Sequence, residues 1–269
     1  MDLDFSTCKL DVVRRRAPHH IRSRSYSCEC QPNRKRASNQ KGRRMLTSLA
    51  NPCAADMASP WKPPWLPNVE VAGTAQMPVL TSSLITQRVQ NMQAFTKPAA
   101  PDLRASTLLH GFVADHKLRR LVRDPGRYLT LAAEHLAVVT PDLSIRDGMP
   151  PHERFHSAWL NRAVGAFFQS RGLQVIPSVR WSTETDLEVM LDGLPCQSAV
   201  VLSVQSMVRD FRALQTLSRG IPILLERLAP KQVFLYGQAP EGIAKKLHRV
   251  AEVFQFPTDA RKAFQKQSS

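Results

Sequence analysis

Polar residues follow each of five apolar runs in the chain, and they are the first candidates for chemistry. In chain order they are Asp115, Asp142 with Ser144, Trp181 with Ser182, Ser203 with Gln205, and Tyr236 with Gln238. Because the carboxyl ends of parallel strands meet on one face of a sheet, where ligands bind, we expect these side chains to surround a pocket. For any single residue the alternative is a turn or helix cap, since Asp and Ser are common in both.

The residue types in this region suit a phosphate-bearing or nucleotide-like ligand. Asp142 and Asp115 are the candidate catalytic residues, with Asp142 as a general base or an acid that orients the ligand. Arg162 would bind an anion through two parallel hydrogen bonds, and Trp181 would offer a flat face to a base or a sugar. The other candidate ligand-binding residues are Ser144, Asn161, Ser203 and Tyr236. The alternatives are a packing role for Trp181 and an ion pair on a neighbouring helix for Arg162.

A His-Glu-x-x-His pentapeptide, formed by His152, Glu153 and His156, matches the pattern with which zinc proteases bind their metal. Pro150 and Pro151 precede it, so His152 would lie in the first turn of a helix rather than inside one. We therefore interpret the pentapeptide as a chance match. The sequence indicates no metal site and no particular cofactor.

The apolar runs predict the elements that would position these residues. Strands are predicted at 108–115, 136–142, 173–181, 198–204, 232–237 and 251–257. Helices are predicted at 117–135 with a break at Pro125, and at 153–172, 183–191, 208–228 and 241–250. This alternation is typical of an α/β fold with a mostly parallel sheet. We favour a barrel-like arrangement, a partial or distorted TIM-type barrel, because polar residues follow successive strands; an open doubly wound sheet is the alternative.

Residues 1–58 differ from the rest of the chain in composition. They contain 12 Lys+Arg against 5 Asp+Glu and show no helical or strand periodicity, which predicts a disordered basic arm. Such an arm could hold nucleic acid by neutralising its phosphates. The clustered cations are Arg14, Arg15, Arg16, Arg34, Lys35, Arg36, Arg43 and Arg44. The alternative is a reading frame begun too early, since Met45, Met57 and Met77 offer later starts.

The remaining chain is expected to form one domain. A proline-rich segment at 59–76 leads into a single α/β domain at 77–264, with a short tail at 265–269. Four of the five cysteines lie in the arm, which excludes a disulfide-built domain and indicates a reducing compartment. No apolar run is long enough to cross a bilayer, so we expect a cytoplasmic protein without a membrane partner.

The sequence from Met77 to Phe264 resembles the bacterial and phage family of domains of unknown function numbered 4417. The motifs that carry the resemblance are MPVL (77–80), HGFVAD (110–115), DPGRYL (124–129), TPDLS (140–144), NRAVGAFFQSRGLQVIPSVRW (161–181), LDGLP (191–195), GIPILLERLAPKQVFLYG (220–237) and FQFPTD (254–259). Positions that match the family's pattern include Asp142, Ser144, Asn161, Arg162, Gln169, Pro177, Trp181, Gly193, Ser203, Tyr236 and Gly237. The resemblance implies that a site built from them would be a family site, and that the two histidines of the pentapeptide lie outside it.

The chain departs from the family's pattern in two places. The usual pair of acids after the first predicted strand is Ala114 and Asp115 here, and a usual glycine is replaced near Gln205 and Ser206. If the acid pair were catalytic or bound a metal, this chain would be impaired. The resemblance implies a phage or mobile-element protein but supplies no reaction.

Three functions therefore stay open, and whether the protein is an enzyme stays open with them. The first is a pocket for a phosphate-bearing small molecule. The second is a non-enzymatic nucleic-acid-associated protein, which the net charge of +15 permits and for which the arm and the basic stretches 116–123 and 244–249 would supply the surface. The third is an interaction or regulatory protein whose pocket is vestigial.

Overall fold

Two parallel sheets form the centre of the fold. A computed structural model of the protein describes residues 62–205 and 210–267, which fall in one compact unit, Ser59–Ser269. The first sheet contains, in spatial order, β3 (Asn91–Ala94), β4 (Thr107–Gly111), β5 (Ala137–Pro141) and β6 (Val175–Ile176). The second contains β7 (Ala199–Ser203), β8 (Gln232–Tyr236) and β9 (Glu252–Phe256). An antiparallel hairpin of β1 (Val71–Ala72) and β2 (Met77–Pro78) precedes them.

Helices connect the parallel strands in an alternating order. They are α1 (Asp115–Arg123), α2 (Leu129–Ala133), α3 (Pro151–Ser170), α4 (Glu184–Leu191), α5 (Phe211–Leu228), α6 (Glu241–His248) and α7 (Asp259–Gln267). The predicted break at Pro125 is a 3-10 turn between α1 and α2. The prediction of an α/β fold with parallel sheets is confirmed.

A closed barrel is not present in the part of the chain that the structure describes. Strands β3 and β9 are edge strands that do not pair with each other, and a single parallel bridge between Ser178 and Val201 links the two sheets. The described parallel strands number seven, one fewer than a TIM barrel needs. Neighbouring strands follow the chain order in both sheets, without the reversal that defines a doubly wound sheet.

The two faces of the sheets bury different partners. One cluster of buried side chains contains residues of both sheets and no helix residue; it includes Met92, Leu108, Val139, Ile176, Val201, Phe234 and Phe256. Alternate residues on the same strands, such as Val200 and Leu235, pack instead against the helices. The inner strands β4, β5, β7 and β8 are therefore buried on both faces, which explains their continuous apolar runs.

Local sequence signals set the ends of the helices that border the strand ends. Pro151 occupies the first position of α3, where its missing N–H costs nothing, and Gly172 follows that helix with a φ of +77°. Thr183 caps α4 by accepting a hydrogen bond from the Asp186 N–H. Asp210 caps α5 in the same way.

The basic arm predicted at 1–58, with its arginine clusters, lies outside the residues that the structure describes. Among the helices that it does describe, none is both long enough and apolar enough to cross a membrane.

Candidate functional site

An open cavity of about 650 Å³ lies where the ends of β6 and β7 meet the first turns of α5. Arg146, Arg180 and Arg212 line it together with two carboxylates, Asp147 and Asp210. Hydroxyl groups line it as well, from Ser144, Ser182, Ser203 and Thr216. The cavity thus combines cations and hydrogen-bond donors with apolar walls, at the edge where the strand-end rule predicted a pocket.

Arg180 is held against a buried carboxylate at the wall of this cavity. Its Nε donates to Asp142 Oδ1 at 3.1 Å, and its Nη2 lies 2.7 Å from Asp142 Oδ2. Burial raises the pKa of Asp142; the hydrogen-bonded charge of Arg180 opposes this effect, and the charge of Asp115 adds to it. Asp142 does not line the cavity, so it acts there by orienting Arg180.

Asp115 supports the second arginine by a similar arrangement. Its Oδ1 accepts hydrogen bonds from the backbone N–H and the hydroxyl of Ser144, at 3.2 and 3.1 Å. The Ser144 hydroxyl in turn accepts from Arg146 Nη2 at 3.2 Å. Ala114 precedes α1 without a capping side chain. The structure therefore brings both predicted carboxylates behind the cavity wall, where they position cations.

Trp181 forms part of the wall but is almost fully buried. Its side chain is 5% exposed, and its Nε1 donates to the Thr216 carbonyl on α5 at 3.1 Å. A Cβ atom on Gly220 would lie 2.3 Å from that nitrogen, so the close approach of α5 requires a glycine there. The indole therefore packs on α5.

The loop before α4 is anchored by another buried carboxylate. Asp186 accepts hydrogen bonds from the Ser182 hydroxyl at 2.8 Å and from Arg154 Nη2 at 2.9 Å. Burial acts to raise the pKa of Asp186, but the hydrogen bonds from Arg154, Ser182 and Thr183 lower it overall. These bonds fix the position of Ser182 on the cavity.

Two predicted ligand-binding residues lie away from the cavity. Asn161 accepts a hydrogen bond from the Leu143 N–H at 3.1 Å and so supports the loop after β5. Arg162 is buried and donates to the backbone carbonyls of Met190 and Asp192, and burial lowers its pKa to about 9. Neither side chain lines the cavity, whereas Ser144, Trp181 and Ser203 do.

Tyr236 also lies elsewhere, inside the core between the sheets. Its ring centroid is 4.5 Å from that of His110 and 4.8 Å from that of Phe112, and its hydroxyl accepts the Asp259 N–H at 2.9 Å. Burial raises the pKa of Tyr236. His110 Nδ1 accepts the Phe112 N–H at 3.1 Å, while His110 Nε2 lies 3.8 Å from Asp259 Oδ2. Burial, aided by the charge of Lys262, lowers the pKa of His110 to about 3.

The His-Glu-x-x-His residues lie at the start of α3, exposed to solvent. His156 lines a separate, mainly apolar cavity of about 520 Å³ beside the β1–β2 hairpin. In the described ranges, no group of three or more His, Cys, Asp or Glu side chains is placed to hold a metal ion.

Sequence reasoning missed the residues that give the cavity its charge. Arg146, Arg180 and Arg212 were not among the candidates, although Arg180 directly precedes the predicted Trp181. Arg212 lies in the first turn of α5, two residues after the capping Asp210, whereas the sequence predicted that this helix begins at 208. His110 was missed too; its signal was a lone histidine inside an apolar strand.

Comparison with known proteins finds phage proteins that are similar to this chain. The "Gene 1 protein" of Mycobacterium phage L5 is 31% identical over 150 residues, which are 55% of this chain and 65% of the phage protein. The "Gene 1 protein" of Mycobacterium phage D29 is 29% identical over 151 residues, 55% of this chain and 56% of that protein. The chain thus spans less than two thirds of the length of these relatives. No solved structure matches it significantly.

Residues 69–257 match the family described as "Domain of unknown function (DUF4417)". That range covers every parallel strand described above, the arginines of the cavity and the two carboxylates behind them. The chain belongs to the DUF4417 family.

Proposed function

We propose that the cavity at the strand ends binds a phosphate-bearing small molecule of nucleotide size. The observation that carries this proposal is the convergence of Arg146, Arg180 and Arg212 on one cavity that also offers serine and threonine hydroxyls. Guanidinium groups bind phosphate through paired, charge-assisted hydrogen bonds. A volume of about 650 Å³ suits a ligand of that size.

Arg180 is the central anion-binding residue in this proposal. Its bond and ion pair with Asp142 use two of the five N–H donors of the guanidinium and leave three for a ligand. Because the pair fixes the plane of the group, little side-chain entropy is lost when an anion binds. Asp142 and Asp115 are positioning residues here, since neither lines the cavity.

We further propose that the two sheets act as one open, barrel-like scaffold with the cavity at its carboxyl-end rim. The core shared by both sheets and the bridge between Ser178 and Val201 support this arrangement. The phage origin of the relatives supports a phage or mobile-element source for this chain.

The test is a thermal-shift and calorimetric titration of the full chain with AMP, ADP, ATP and inorganic phosphate. A bound nucleotide raises Tm by mass action. We expect Arg146→Gln and Arg212→Gln each to weaken binding about tenfold, the loss of roughly one charge-assisted hydrogen bond. Arg219→Gln is the matched control, because Arg219 is an exposed arginine of α5 that pairs with Glu184 and does not line the cavity. Equal affinities for all three variants, or no nucleotide binding by the native chain, would refute the proposal.

A second candidate function is association with nucleic acid through the basic surface. The net charge of +15 and the exposed cations of α1 favour it. On α6, the other predicted basic stretch, Lys245 is already paired with Glu241 at 2.6 Å. The test is a salt titration of DNA binding by the full chain, in which log affinity should fall linearly with log salt concentration.

A further inference from the structure

We propose that a groove beside α1 binds single-stranded nucleic acid. This α1 groove is an open concavity of about 430 Å³, and its lining residues are Phe95, Thr96, His116, Lys117, Arg120 and Tyr128. The inference rests on the second candidate function and names the surface and the form of nucleic acid that it would use. It does not involve the cavity at the strand ends.

The first observation is a group of exposed positive charges on α1 that form no ion pairs with the acidic side chains that the structure describes. Helix α1 buries Leu118 and Leu121 and leaves its other face in solvent. The exposed cations of that face are Lys117, Arg119, Arg120 and Arg123. Within residues 62–205 and 210–267, none of these four takes part in an ion pair. A run of unpaired cations on one helix face attracts a polyanion and releases its counterions.

The acidic residues beside α1 do not neutralise this face, because each has a partner of its own. Asp115 lies 4.0 Å from Arg146, a cation outside α1, and also accepts two hydrogen bonds from Ser144. Asp124, just after the helix, pairs with Arg127 at 2.8 Å. Lys97 adds another exposed cation next to Thr96, on the strand side of the groove.

The second observation is a rigidly held aromatic ring in the groove. The half-buried Tyr128 ring meets Phe95 edge to face, with ring centroids 5.4 Å apart and an angle of 83° between the planes. Phe95 is itself 7% exposed and belongs to the core between the first sheet and the helices. Proteins that bind single strands combine such rings, on which bases stack, with cations that follow the backbone.

The pairing of a ring with cations selects a single strand over other polyanions. In a duplex the bases are stacked on one another and cannot reach Tyr128, so a duplex would use only the cations. An anionic membrane surface would also attract cations, but a membrane-binding helix carries large apolar side chains on its exposed side. Among the described residues, none of the large exposed apolar side chains lies on α1.

The experiment measures fluorescence anisotropy of labelled oligothymidylate of about 15 nucleotides with the full chain, over a range of salt concentrations. The charge variant is Lys117→Gln with Arg120→Gln, and we expect it to lower the salt slope by about 1.4, or about 0.7 for each lost phosphate contact. Tyr128→Leu should weaken binding about tenfold through lost stacking, and Tyr128→Phe should retain it. The matched control is Lys231→Gln, an exposed cation just before β8 and outside both predicted basic stretches, which should leave binding unchanged.

The outcomes separate the groove from the broader function. Binding that is unaffected by the groove variants but lost when the eight clustered arm cations are changed to glutamine would overturn the groove and leave nucleic-acid association standing. Absence of binding to any DNA or RNA would overturn both. A preference for duplex DNA, or for phosphatidylserine vesicles over oligonucleotides, would overturn the single-strand assignment. Circular dichroism melting of each variant checks that a lost affinity is not a lost fold.

Discussion

The buried His110 should make the stability of this protein depend on pH. In the folded chain its pKa is lowered from 6.5 to about 3, because burial and the charge of Lys262 disfavour the imidazolium. In the unfolded chain the histidine has its ordinary pKa, so the unfolded state binds more protons at every pH between these two values. Stability is therefore fully present above pH 6.5 and is lost as the pH falls towards 3.

The size of the effect follows from the two pKa values. Between about pH 7 and about pH 5 the unfolded chain takes up nearly one proton at this histidine and the folded chain takes up almost none, which costs about 2 kcal/mol. Asp142 acts in the opposite direction, because its raised pKa makes acid favour its folded form. The contribution of His110 must therefore be isolated by comparison with a variant.

His110→Asn is a suitable variant, since an asparagine Oδ1 can replace Nδ1 as the acceptor for the Phe112 N–H but does not titrate. Urea unfolding followed by tryptophan fluorescence gives the free energy of unfolding at both pH values. The native chain should lose about 2 kcal/mol more than the variant over this pH range, whatever the variant loses at neutral pH. Parallel losses in the two proteins would refute the reasoning and mean that the imidazole is protonated in the folded state.

Two further changes test the walls of the cavity. Asp142→Asn should lower the free energy of unfolding by about 2 kcal/mol, less than for a fully buried pair, because Arg180 keeps some exposure to water after losing its charge partner; a loss below about 0.5 kcal/mol in urea unfolding would contradict the pairing. Gly220→Ala should cost about 2 kcal/mol and shift the fluorescence of Trp181, since the new methyl would overlap the indole. Gly242→Ala on α6 is its control: nothing lies within 4 Å of a Cβ there, so that variant should keep or gain stability.

The inner strands with continuous apolar runs were predictable from the sequence, and so was the outer strand β9, whereas the outer strand β3 was not. Strands β5, β7 and β8 are runs of buried residues between turn residues, and each lies inside a predicted range. Strand β3 has the sequence NMQA and half of its residues are polar, so only its pairing with β4 identifies it. The prediction of a strand over 173–181 was too long, because Pro177 has no N–H for the ladder and β6 ends at Ile176.

The candidate site was predictable to the level of the sheet edge but not of the individual side chain. Ser144, Trp181 and Ser203 follow adjacent strands and meet at the cavity, as the strand-end rule requires. Tyr236 does not, because its ring packs against His110 and Phe112 in the core between the sheets. Arg162 lies on the side of α3 that faces the end of α4. The spacing of apolar residues along a helix does not by itself tell which neighbouring element a given side will face, so this position was not predictable.

The buried pair of Asp142 and Arg180 bears on whether the cavity is vestigial. An apolar pair of similar volume would serve the stability of the fold as well or better, because taking two charges out of water costs about as much as their attraction returns. What an apolar pair could not do is hold a guanidinium in a fixed plane at the wall of a cavity. Neither contact depends on a carboxylate at position 114: Asp142 holds Arg180, and Asp115 is bonded to Ser144. With an alanine at position 114, the cations that would bind an anion therefore keep their positions at the wall.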